Sequence, residues 1–339
     1  MPPTSRPTAL LVMDPATFAL QFRADELARL TALADVAEPV WTPDLDSPAA
    51  RRRLADAEVL LTSWGAPALT PERLAAAPRL RAVLHAAGSV RGLVGDEVFR
   101  RGVLVSTAAE ANAVPVAEFT LAAIILAGKK APFLAAQGRH APVSWGAVVG
   151  REDLSNRGRT VVVVGFSRIG RRVVEMLRLL DTAAVLVVDP YADPAAVRAA
   201  GGEPAGLDDA LRRADVLSLH APALPETHRM IGARELALLP AGATLVNTAR
   251  GSLVDTDALL AACAAGRLDA ILDVTDPEPL PTGHPLLALP NVMVTPHVAG
   301  SLGAETRRMA QHALDELEAL AQGRPLATPL TVDATAVSA

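Results

Sequence analysis

Four consecutive valines run into a glycine turn and then an amphipathic helix at VVVVGFSRIGRRVVEMLRLL, and this single stretch most limits what the chain can fold into. The apolar run predicts a strand buried on both faces, and Val173, Val174, Leu177 and Leu180 recur at helical spacing behind Gly165, Phe166, Ser167, Arg168, Ile169 and Gly170. Gly165 permits a tight turn and Gly170 a close helix–sheet approach. The helix N-terminus offers unpaired N–H groups to a pyrophosphate. Ser167 stands where such a fingerprint has its middle glycine, so its side chain either crowds the phosphates or donates a hydrogen bond to one of them. Asp189 closes the next apolar run, VLVVDP, where an acidic side chain accepts from both ribose hydroxyls of an adenosine and repels a 2′-phosphate. NAD is therefore expected over NADP.

The rest of the chain repeats this alternation. Six strand candidates follow Thr160: 161–164, 185–188, 216–219, 243–246, 270–274 and 292–295, the complement of a dinucleotide-binding sheet. Before them, 9–13, 58–62, 80–84 and 103–106 alternate with helical stretches such as 24–35, which predicts a second parallel sheet covered by helices. Pro115 is expected to open the helix VPVAEFTLAAIILAGKK. Its apolar part, 121–127, is read as a core or interface element, too short to span a membrane. A long helix is expected over 304–322, and a frayed polar tail from about Ala327.

With 339 residues, 50% of them hydrophobic and 20% charged, the chain can bury a large core, which excludes disorder. A net charge of −5 without a basic stretch argues against nucleic acid as a partner. The apolar run at 9–13 is too short for a signal peptide and the only cysteine, Cys263, has no partner; a cytoplasmic protein is expected, with no metal site and no membrane partner.

Three later segments also sit at predicted strand ends, where ligands collect in open parallel sheets: NTARG at 247–251, DVTDPEP at 273–279 and TPHVAGS at 295–301. Together they supply an arginine, a carboxylate and a histidine. Arginine suits a two-pronged hold on a carboxylate, histidine moves a proton near neutral pH, and a nearby glutamate orients and charges the imidazole. Beside a nicotinamide, that set can interconvert a 2-hydroxy acid and a 2-keto acid.

On these motifs the chain resembles the D-isomer-specific 2-hydroxyacid dehydrogenase family, which includes glyoxylate/hydroxypyruvate reductases and D-3-phosphoglycerate dehydrogenases. The likeness runs from about Leu80 to Pro325. It implies an α/β fold of two doubly wound parallel-sheet domains. A Rossmann NAD-binding domain, 108–299, is inserted into a flavodoxin-like substrate-binding domain, 1–107 plus 300–330, with 331–339 as a tail. The implied catalytic residues are Arg250, Glu278 and His297. The implied cofactor-binding residues are Gly165, Ser167, Arg168, Ile169, Gly170, Asp189, His220, Ala221, Pro222, Thr227, Thr248, Ala249, Asp273 and Gly300, with Asp273 similar to the aspartate that holds the nicotinamide carboxamide.

The resemblance also implies that Ala87, Gly88 and Ser89 bind the substrate carboxylate through backbone N–H groups, alongside Arg250 and His297, in a cleft that closes during turnover. There the chain departs from the commoner Gly-Val-Asp pattern with Ser89, Val90 and Arg91, and Arg91 is a candidate contact for an anionic tail. A homodimer through the apolar helix is expected. Glu278 argues against a formate dehydrogenase, in which glutamine partners the histidine. The chain beyond Arg324 reads as too short for the regulatory domain of long phosphoglycerate dehydrogenases, and control by such a domain is not expected. Three alternatives stay open: an NAD(H)-sensing, corepressor-like scaffold; a weak cofactor binder because of Ser167; and a phosphorylated or phosphonate substrate held by Arg91 or the run Arg51 to Arg53, a run that otherwise reads as a solvated helix face.

Overall fold

A computed structural model describes residues 6–139 and 141–332. The chain divides into two compact units, one formed by residues up to Asn112 and from Ser301 onward, the other by Ala113–Gly300.

The first unit holds a five-stranded parallel sheet, β1 (Thr8–Val12), β2 (Asp35–Thr42), β3 (Val59–Thr62), β4 (Ala82–His85) and β5 (Leu104–Thr107), in the order β2-β1-β3-β4-β5. That is the flavodoxin-like order. Its inner strands read as unbroken apolar runs because both faces are covered. Ala9 and Leu11 of β1 share one cluster with Leu30, Leu314 and Leu317, while Leu10 and Val12 share another with Leu54 and Val83. The C-terminal helix Thr306–Ala321 thus returns to cover the first sheet, and Arg29 reaches Glu318 across that packing at 2.7 Å.

β2 has no counterpart among the strands expected from the sequence. DVAEPVWT is mostly solvent-facing and carries Pro39, which a ladder tolerates at a sheet edge, where β2 lies. The stretch after Ala327 is not frayed over the described residues. Ala327 and Thr328 donate their N–H groups to the buried Glu316 carboxylate at 2.8 Å, and Leu330 N–H reaches Val105 O at 2.7 Å. Most of the expected tail, residues 333–339, lies outside the described residues.

The second unit holds β6 (Thr160–Val164), β7 (Ala184–Val188), β8 (Glu203–Pro204), β9 (Val216–Leu219), β10 (Thr244–Asn247), β11 (Asp269–Leu272) and β12 (Val292–Val294), all parallel, in the order β12-β11-β10-β9-β6-β7-β8. Counted from β6 this is the Rossmann order, extended by one strand beyond β11. The two-residue β8 is too short for any periodicity to announce. Cys263 is a buried free thiol of this core, pushed up to about 12 by burial, so it is not a nucleophile.

The apolar helix is longer than its sequence suggests. It runs Ala109–Gly128 with Pro115 inside it instead of at its start, and by length and composition alone its 20 residues could cross a membrane. Half of the apolar stretch is buried, however, and Ala117, Ala123, Ile124 and Ala127 pack against Val161, Val163 and Val246 in the core of the second unit.

Candidate functional site

In the second unit the expected residues stand in the loops and helix starts that follow the carboxyl ends of β6, β7, β9, β10, β11 and β12, the edge at which open parallel sheets take ligands. The topological switch lies between β6 and β9, which pair directly. Gly165, with φ +96°, has no room for a side chain, since a Cβ there would come within 2.6 Å of Ala221 N. A Cβ on Gly170 would sit 1.9 Å from Gly165 O. Both glycines are therefore demanded by backbone contact.

Ser167 has a structural reason for departing from glycine. It is the N-cap of the helix Arg168–Leu177, and its Oγ accepts the Gly170 N–H at 3.3 Å. Its O–H stays available to donate. Arg168 is exposed, while Ile169 turns inward against the core. Asp189 is half-buried and already oriented: Oδ2 accepts Phe166 N–H at 2.7 Å and Oδ1 accepts Tyr191 N–H at 2.9 Å. The carboxylate is thereby fixed beside the glycine turn, with lone pairs left for hydroxyl donors.

After β9, His220 is buried with Nε2 2.8 Å from Ser218 Oγ, and its Nδ1 has no partner. Burial pushes the imidazole down to about 3, so it is neutral. Ala221 is buried and Pro222 half-buried beside it. Thr227 Oγ1 donates to Pro222 O at 2.6 Å and accepts Leu224 N–H at 2.8 Å, so its hydroxyl is engaged in closing this loop.

The loop after β10 is clamped by Asn247, a residue to which the sequence motifs assign no role. Its Nδ2 donates to Arg250 O at 2.8 Å and its Oδ1 accepts Ala249 N–H at 3.1 Å. Thr248 is buried, its Oγ1 2.8 Å from Thr120 Oγ1; Thr120 also bonds Val116 O at 2.7 Å and lies in the apolar helix, where the sequence reading gives it no role of its own. Arg250 is half-buried, with Nη1 donating to Ala249 O at 2.5 Å. A Cβ on Gly251 would fall 2.0 Å from Thr275 O, so the Arg250 loop presses against the segment leading to Glu278. Thr256 Oγ1 bonds Asp276 O at 2.7 Å and ties the two loops again.

Asp273 does more for the protein than its motif suggests. Its buried carboxylate accepts Thr295 Oγ1 at 2.5 Å, Val298 N–H at 2.8 Å and Ala299 N–H at 2.9 Å, while its carbonyl accepts His297 N–H at 2.9 Å. It therefore anchors the loop that carries His297, with one lone pair of Oδ2 remaining. His297 Nδ1 lies 2.6 Å from Glu278 Oε1, and the residue holds a left-handed φ of +54°. Both side chains are part-exposed, which leaves the imidazole reachable. Gly300 is half-buried at the end of this loop.

The remaining expected residues belong to the first unit. Ala87 is buried, Gly88 and Ser89 are half-buried in the loop after β4, and Arg91 is exposed, its N–H on Ser89 Oγ at 3.3 Å. Of the arginine run, Arg53 is not a solvated residue. It is half-buried and points at the β2 carbonyls of Trp41 and Ala37, at 3.5 and 3.4 Å.

Residues 132–299 match the family model described as D-isomer specific 2-hydroxyacid dehydrogenase, NAD binding domain. D-3-phosphoglycerate dehydrogenase of Mycobacterium bovis is 38% identical over 82% of this chain and 52% of its own length. The chain thus spans about half the length of such curated relatives. Glyoxylate/hydroxypyruvate reductase B of Pectobacterium atrosepticum is 32% identical over 92% of this chain and 96% of its own. A phosphoglycerate oxidoreductase from Rhizobium etli superposes with a TM-score of 0.81 at 26% identity, covering 96% of this chain and 98% of that one.

Proposed function

Because the chain belongs to the D-isomer specific 2-hydroxyacid dehydrogenase family, we propose that it interconverts a D-2-hydroxy acid and its 2-keto acid with NAD(H). The observation that carries this reading is the His297–Glu278 contact at 2.6 Å, on a loop that Asp273 pins in place. With Nδ1 turned to the glutamate, Nε2 is the nitrogen left to handle a proton.

In the reductive direction Arg250 is the residue of the second unit assigned to the carboxylate of the keto acid; for the first unit the resemblance assigns a carboxylate to the N–H groups of Ala87, Gly88 and Ser89. His297 Nε2 gives its proton to the C2 oxygen, and in oxidation the same nitrogen takes the proton from the hydroxyl. Glu278 stabilises the imidazolium and fixes the ring's orientation. NAD(H), when bound, supplies the hydride to C2 or accepts it from there. The turn Gly165–Gly170 would hold its pyrophosphate on the helix N-terminus, and Asp189 the adenosine ribose. Asp189 would also exclude the 2′-phosphate of NADP.

The homodimer belongs to the same proposal and rests on the likeness of the helix Ala109–Gly128, which leaves Leu126 41% exposed. A cytoplasmic setting is supported by the free, buried Cys263.

The test is oxidation of NADH and NADPH with a panel of 2-keto acids from glyoxylate to bulky and phosphorylated ones, in wild type and Arg250→Ala. Turnover that needs NADH and Arg250 is expected. NADH binding without reduction of any keto acid would instead support a sensing scaffold.

A further inference from the structure

β4 ends at His85, and the loop after it is gripped from the interior by groups that the reaction itself does not use. Ala86 O accepts Gln21 Nε2 at 2.9 Å and Ser63 Oγ at 3.0 Å, and both donors are buried. Ala86 N–H donates to Thr62 O at 2.7 Å, and Ala87 O accepts Ala108 N–H at 3.0 Å. The buried His85 ring has its Nδ1 2.9 Å from Thr62 Oγ1.

A trans peptide sets each N–H opposite the carbonyl before it, and the 86–87 and 87–88 bonds are trans. Holding Ala86 O and Ala87 O against the interior therefore turns the N–H groups of Ala87 and Gly88 away from it. Those two N–H groups and that of Ser89 find no acceptor among the described residues. Successive unpaired N–H groups at a strand end form the donor set of an anion site. Gln21 Oε1, buried without a partner, marks the same purpose. An apolar side chain would sit there without an orphaned oxygen, so what the amide contributes is its donation to Ala86 O.

Resting on the carboxylate reading of this loop, we propose that Ser63 and Gln21 are positioning residues that, with the Ala108 N–H, aim the N–H groups of Ala87 and Gly88 at the substrate carboxylate, beside that of Ser89. The test is a titration of the isotope-labelled full-length chain with oxalate, following the amide resonances of those three residues. All three are expected to shift with one common Kd. Ser63→Ala weakens that Kd about 3- to 10-fold, the equivalent of one hydrogen bond. Gln21→Met does the same, Ser63→Thr restores the affinity, and NADH binding is unchanged. For any keto acid turned over, KM rises by the same factor while kcat holds.

Ser63→Ala removes a single oxygen, so it carries the test even if Gln21→Met fails to fold. Amides that ignore oxalate, or a Ser63→Ala variant with wild-type affinity, overturn the proposal. If the amides respond as expected but no keto acid is reduced, the cradle stands and the dehydrogenase reading falls. If turnover depends on Arg250 and His297 yet is indifferent to Ser63 and Gln21, the dehydrogenase reading stands and the cradle falls.

Discussion

His297 Nδ1 and Glu278 Oε1 stand 2.6 Å apart, joined across two loops that follow different strands. If the imidazole moves the reacting proton, His297→Ala lowers kcat roughly 10²- to 10⁴-fold. Glu278→Gln keeps the shape but loses the charge, and is expected to lower kcat about 10- to 100-fold, the worth of a charge-assisted hydrogen bond. Steady-state kinetics on the two variants check both. Near-wild-type turnover in His297→Ala removes the assignment.

His297 also holds its left-handed φ of +54° without being glycine. That conformation costs an L-residue about 1–2 kcal/mol. His297→Gly should therefore be inactive yet more stable than His297→Ala, which keeps the strain, by about 1 kcal/mol. Urea unfolding of the two variants measures the difference, and equal midpoints would mean that the loop carries no such strain.

Ser167 caps the helix behind the glycine turn. Ser167→Ala should destabilise by about 1 kcal/mol and Ser167→Gly by a few tenths. Since the hydroxyl accepts from Gly170 N–H, Ser167→Gly should not tighten NADH binding. A fluorescence titration that finds tighter binding would restore the idea of a serine that crowds the phosphates.

His85 and His220 tie stability to acid. Burial pulls them from 6.5 down to about 4 and about 3. Below pH 6.5 the unfolded chain takes up protons that the folded one refuses, so their contribution is complete above about pH 7. It falls as the pH drops through 6.5 toward 4 for His85 and toward 3 for His220. At pH 5 each should cost about 2 kcal/mol of stability. Unfolding midpoints at pH 7 and pH 5 should converge by roughly half in His85→Gln, and an unchanged gap would exclude His85 as a source.

The placement of much of the candidate site was legible because parallel sheets put every strand's carboxyl end on one edge. Arg250, Glu278 and His297 each follow a readable apolar strand, and Gly165 and Asp189 follow two more. β2 was not legible, since an edge strand with one wet face and a proline lacks the buried apolar run that marks its neighbours. Pro115 misled for a different reason. Proline usually opens a helix, yet this one starts ahead of it at Ala109, and the turns after it pack Ala117, Ile124 and Ala127 in the core of the second unit.

The sequence by itself determined the two sheets, the strand ends that carry the candidate residues and the residue types placed there, because apolar runs and glycine turns are local and periodic. Only the tertiary structure decided what each polar group is bonded to. Asp273 anchors the His297 loop through hydrogen bonds to residues 22 to 26 positions away, Ser167 became a helix cap, and Ala86 O is held by Gln21 and Ser63 from 65 and 23 positions away. A hydrogen bond is set by distance and angle between atoms that folding brings together, and spacing along the chain does not encode either.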